Sequence, residues 1–146
     1  MYQPNRLFQR IVAPKVGWIL LAAVVVVCWG CGRETSLTEV QRVRSGDVDV
    51  VLLSRDGSLH QKGTFTIEFH AGSSGNLVNM GTVRAGASMR MPDMAPMLGS
   101  IEVRPTEMPG RYTATESLDM AGGWRFALDW DGPSGRGTVN FAGTVQ

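Results

Sequence analysis

Thr64-Phe-Thr-Ile-Glu-Phe-His70 decides the fold class. Phe65, Ile67 and Phe69 alternate with Thr64, Thr66, Glu68 and His70, and strict period-two alternation puts the apolar set on one face of a β-strand and the polar set on the other. Trp124-Arg-Phe-Ala-Leu-Asp-Trp130 repeats the arrangement, with Trp124, Phe126, Leu128 and Trp130 aligned against Arg125 and Asp129. Outward from these two stretches, candidate strands lie at 48–53, 78–91, 101–103, 111–115 and 138–145. Turn chemistry separates them: Asp56-Gly57 and Asp131-Gly132 suit turns needing positive φ, and Pro109-Gly110 suits the central positions of a type II turn. No stretch of the body sustains helical periodicity. About seven short antiparallel strands predict an all-β fold, an immunoglobulin-like antiparallel β-sandwich.

That body is expected to span residues 46–146. Before it, Arg6, Arg10 and Lys15 precede the apolar run Val16-Gly-Trp-Ile-Leu-Leu-Ala-Ala-Val-Val-Val-Val-Cys-Trp-Gly30. A basic flank followed by a short apolar run is the pattern of an export signal. The run falls short of the roughly twenty residues that span a bilayer, so processing is favoured over a permanent span. Residues 1–31 are therefore read as a lipoprotein-type signal peptide or membrane anchor, with Cys31 as the lipidation site. Cys28-Trp-Gly-Cys31 is formally a C-x-x-C, but it ends an apolar run instead of opening a helix after a strand. Residues 32–45, mostly polar, are read as a tether. Each outcome predicts an extracytoplasmic body held at a membrane through a lipid or an anchor.

Charge excludes one class of partner. Beyond Cys31 there are eleven Lys plus Arg and thirteen Asp plus Glu, 11 − 13 = −2, with no basic cluster. A nucleic-acid-binding surface has no electrostatic footprint here.

The chemistry concentrates in Met89-Arg-Met-Pro-Asp-Met-Ala-Pro-Met97. Thioethers are soft, neutral ligands that hold Cu(I) or Ag(I) without deprotonation, so Met89, Met91, Met94 and Met97 are candidate metal ligands, with Met120 or Met108 as a further partner. If Met89 and Met91 share a strand they point to one face, and Pro92 ends the ladder and swings Met94 and Met97 into a loop. Packing is the competing reading, because methionine is an adaptable filler of cores and interfaces.

Met91-Pro-Asp-Met94, Pro109-Gly-Arg-Tyr112, Met120-Ala-Gly-Gly-Trp124 and Trp130-Asp-Gly-Pro-Ser-Gly-Arg-Gly137, in that order, resemble the YtkA-like domain, a relative of the FixH family. The resemblance covers roughly residues 46 to 145. It implies a small extracytoplasmic β-sandwich, found alone in membrane-anchored or lipoproteins and also joined to periplasmic adaptors of heavy-metal efflux systems. It fixes no activity, since fold analogy does not determine function. Asp93, Ala95 and Pro96 stand where the family often has a Gly or His, so a mixed Met/His copper site is not carried over.

The remaining candidates read as structural. His60 and His70 are expected to be solvated, and two His with no certain thiol fall short of a zinc site. Ser54, Asp56, Ser58 and His60 cluster in sequence on one turn, a poor scaffold for a nucleophile, base and orienting acid. Glu102, Glu107 and Glu116 read as exposed carboxylates. Trp124 reads as core, and Trp130 as half exposed and open to a partner. The chain is thus expected to be a non-enzymatic extracytoplasmic binding module that handles Cu(I) or another soft metal. The alternative is an interaction or accessory module of a membrane complex, efflux-adaptor-like, with no ligand of its own.

Overall fold

The computed structural model describes residues 36–146. The signal or anchor read over 1–31, including Cys31, lies outside the described residues. Eight antiparallel strands run β1 (Thr38–Ser45), β2 (Val48–Ser54), β3 (Lys62–Ala71), β4 (Thr82–Met89), β5 (Met97–Pro105), β6 (Arg111–Ser117), β7 (Gly122–Gly132) and β8 (Gly135–Val145). Their order is β1-β2-β3-β6-β5-β4-β7-β8.

β5 belongs to both layers. Met97, Leu98 and Gly99 pair with β4, and Ser100 to Pro105 pair with β6. Such a strand makes the corner where one sheet passes into the other. The corner rests on Gly99, where a Cβ would fall 2.1 Å from the Leu118 side chain and 3.1 Å from Trp124. The far edges, β1 and β8, also meet, Ser45 Oγ donating to the Thr138 carbonyl at 3.1 Å.

Between the layers lies the core that the alternation predicted. Phe65, Ile67 and Phe69 from β3 face Trp124, Phe126, Leu128 and Trp130 from β7, and all seven are buried. Phe126 stacks on Phe141, and Phe69 meets both Tyr112 and Trp130 edge-on. Apolar burial of this kind supplies the main driving force for folding.

Several expectations change. Part of the tether read over 32–45 is strand: β1 pairs with β2 from Thr38↔Ser54 to Ser45↔Val48. Val40 and Val43 pack against the core although charged and polar neighbours dilute their signal, which is the usual appearance of an edge strand. The strand expected over 78–91 begins at Thr82, because residues 78–80 are committed elsewhere: Val78 N–H donates to Phe69 O and Met80 N–H to the Tyr112 hydroxyl. Gly57 and Gly110 take positive φ as their turns require. Gly132 does not; it is small because a Cβ there would lie 2.4 Å from the Met80 carbonyl oxygen. Trp130 is 5% exposed and belongs to the core.

Candidate functional site

The antiparallel register sorts the loops into two ends. The 55–61, 90–96 and 118–121 connections gather at the end where β4 stops and β5 begins, with the C-terminus beside them. The 46–47, 72–81, 106–110 and 133–134 connections gather at the other.

The first end carries the thioethers. Met89 and Met97 are direct partners across the β4–β5 ladder. Met89 is buried, and its Cε lies 3.0 Å from where a Cβ of Gly122 would stand. Gly122, at φ +135°, thus leaves room for this side chain two residues after Met120. The Met120 backbone is fixed in turn by Trp124, whose Nε1 donates to its carbonyl at 3.0 Å. Met91 and Met97 are half-buried and pack against the core. Met94 is 64% exposed, carried on a turn framed by Pro92 and Pro96 in which Asp93 takes φ +59°. A non-glycine residue in that region is uncommon and marks a shaped turn. Register and loop placement therefore gather Met89, Met91, Met94, Met97 and Met120 at one end of the sandwich. Met108 is excluded, since it lies in the β5–β6 turn at the opposite end. β4 also stops at Met89, so Met91 is a loop residue instead of a strand neighbour of Met89.

Toward the same end of the sandwich stands a carboxylate that was expected to be exposed. Glu116 is 4% exposed instead of solvated. Its Oε1 accepts the His60 N–H at 3.1 Å, and its Oε2 has no hydrogen-bond partner among the described residues. Burial raises its pKa, opposed by the His60 hydrogen bond. The signal was present in the alternation: Tyr112 and Ala114 face inward on β6, and Glu116 continues that phase. The bond pins the β2–β3 connection, which is also held by Leu118 N–H to Gln61 O and Gln61 N–H to Gln146 O.

The Ser54–His60 cluster is a capped turn. Asp56 Oδ1 accepts from Ser54 Oγ and Ser58 N–H, and Oδ2 lies 2.7 Å from His60 Nε2. In a nucleophile relay the imidazole bridges hydroxyl and carboxylate; here the carboxylate bridges. The His60 contact, followed by the Ser58 N–H, lowers the Asp56 pKa. His70 is not freely solvated either. Its Nε2 lies 2.9 Å from Glu68 Oε2 and its Nδ1 2.8 Å from Gly75 O, while Arg111 Nη2 approaches Glu68 Oε1 at 2.6 Å. Among the described residues, no group of three His, Cys, Asp or Glu side chains is arranged to hold a metal.

The YtkA-like family profile matches residues 42–129, more than half of the chain. The chain belongs to the YtkA-like family. Among curated proteins none matches it. Of solved structures, this YtkA-like chain is similar to PcoC, a methionine-rich copper resistance protein from Escherichia coli: 19% identity over 61% of this chain and 87% of that one, TM-score 0.44. It is also similar to a copper-bound variant of FetP from uropathogenic Escherichia coli strain F11, at 9% identity over 75% and 97%, TM-score 0.48. The ZirS C-terminal domain matches at 12% identity over 100% and 84%, TM-score 0.39. Likenesses this distant assign no ligand to the YtkA-like chain.

Proposed function

We propose that this YtkA-like protein is a non-enzymatic, extracytoplasmic binding module whose thioether end takes a soft monovalent metal ion, Cu(I) or Ag(I). The ligands are drawn from Met89, Met91, Met94, Met97 and Met120. The observation that carries the reading is the direct opposition of Met89 and Met97 across β4–β5, with Met91 and Met94 in the connection between them. A neutral, soft donor set selects by softness and not by charge, which suits Cu(I) and disfavours zinc or calcium. The extracytoplasmic placement rests on the basic-then-apolar start of the chain and Cys31, which would hold the protein at a membrane.

The test is an anaerobic Cu(I) competition titration on the full chain carrying Cys28→Ser and Cys31→Ser, since thiolates would outcompete thioethers. The comparison is the same chain with Met89, Met91, Met94 and Met97 changed to Leu. Each Met-to-Leu exchange nearly conserves volume and costs under about 1.5 kcal/mol, and the variant is compared once its circular dichroism matches that of the parent. One-to-one binding lost in the Leu variant is the expected result; no binding by the methionine-containing chain overturns the reading.

A second reading, an accessory module that holds a membrane-protein partner such as an efflux component, has its own support. Leu98 is 75% exposed and lines an open depression of 690 Å³ together with Gly86, Ser88, Arg125, Ala127 and Asn140. Under that reading Leu98→Glu releases a co-purifying partner and leaves Cu(I) behaviour unchanged.

A further inference from the structure

The seven methionines of the described residues differ widely in access to solvent. Met80 and Met89 are buried, Met91 and Met97 half-buried, and Met120, Met108 and Met94 are 39%, 44% and 64% exposed. Met94 thus stands out furthest, on a turn whose Asp93 takes the left-handed backbone conformation between two prolines. Displaying an apolar thioether on a strained turn has no packing rationale, and strain of this kind collects at functional positions. What such a sulfur offers to the solvent is a lone pair that is both a soft ligand and a nucleophile toward oxidants.

We propose that Met94 is the first oxidation site of the folded domain, and that its conversion to the sulfoxide by a hydroperoxide closes the thioether end to soft metal ions. The inference rests on the metal reading given above. In the step, the Met94 sulfur lone pair attacks one peroxide oxygen, the O–O bond breaks, and the departing oxygen leaves with the transferred proton as water or an alcohol. Sulfur loses two electrons and the peroxide gains them. The product is polar and carries a hard oxygen where the soft donor stood. Bound metal does the reverse, occupying the lone pair and shielding Met94 from the oxidant. Met108, at 44%, is an internal control, because it is the next most exposed methionine of the described residues and sits in the β5–β6 turn at the other end.

The experiment uses the full chain with Cys28→Ser and Cys31→Ser in detergent, limiting hydrogen peroxide, and peptide mapping by mass spectrometry, with and without one equivalent of Ag(I). Ag(I) is the probe because peroxide oxidises Cu(I) itself. Without metal, Met94 sulfoxide accumulates ahead of Met108 sulfoxide; with Ag(I), Met94 oxidation slows by about tenfold while Met108 is unchanged, and the chain singly oxidised at Met94 binds Ag(I) about tenfold more weakly. Met94→Leu removes the fast phase and leaves the Met108 rate as it was. Oxidation of Met108 before Met94 overturns the site. Unchanged Ag(I) affinity after Met94 oxidation overturns the closure and leaves the metal reading standing. No Ag(I) binding by the unoxidised chain overturns both.

Discussion

The two ends of this sandwich are built on opposite plans. At the end of the 72–81 and 106–110 connections the Tyr112 hydroxyl accepts from Met80 N–H and donates toward Gly81 O, while Gly81, Gly110 and Gly132 admit backbone where any Cβ would lie within 2.8 Å of a neighbouring main-chain atom. At the thioether end the loops hold fewer main-chain bonds, and Met94, Leu98 and Met120 stand open to solvent. One end is closed by hydrogen bonding and glycine contacts; the other displays soft side chains above a buried Trp124. The difference places the densest main-chain hydrogen bonding of the connections at one end and the exposed thioethers at the other.

The closed end is expected to be the more sensitive to substitution. Gly132→Val drives a side chain into the Met80 carbonyl, and destabilisation of about 3 to 4 kcal/mol is expected, visible as a lower denaturation midpoint. Tyr112→Phe leaves the Met80 N–H without its buried acceptor and is expected to cost about 1 to 3 kcal/mol by the same measurement. A thioether-end change, Met94→Leu, is expected to alter stability by less than about 0.5 kcal/mol, because the side chain is mostly in water. A large effect there would mean that Met94 is structural.

The smallest expected effect is a pH dependence centred on Glu116. Burial lifts the Glu116 pKa above its ordinary value of 4.5, so the folded state binds this proton more tightly than the unfolded chain does. Stability from this group is therefore fully present below the ordinary value. It falls as pH rises toward the raised value and is flat above it. Glu116→Gln keeps an acceptor for the His60 N–H and removes the charge. It is expected to match or modestly exceed the parent in stability at pH 7 and to lose that advantage below pH 4. Urea titrations at both pH values check the sign; a parent more stable at pH 7 than the Gln variant would mean that the charged carboxylate has a partner beyond the His60 N–H.

Alternation alone made the core legible, because period two is a local property: Phe65, Ile67 and Phe69 could face nowhere but inward once Thr64 and Thr66 faced out. The same rule reached Glu116 through Tyr112 and Ala114, yet charge masked the phase. It could not reach β1, where a register shift between Glu39 and Gln41 breaks the alternation and lets Val40 and Val43, three residues apart, both pack against the core.

The methionine run, the turn glycines and the family were set by the sequence, as was the polar and apolar division of each strand. Only the tertiary structure decided that Met89 opposes Met97, that Met120 joins their end while Met108 joins the other, and that β5 turns from one sheet to the other over Gly99. Those are statements about register and long-range pairing, which depend on how distant strands satisfy one another's hydrogen bonds and burial, and no local spacing encodes them.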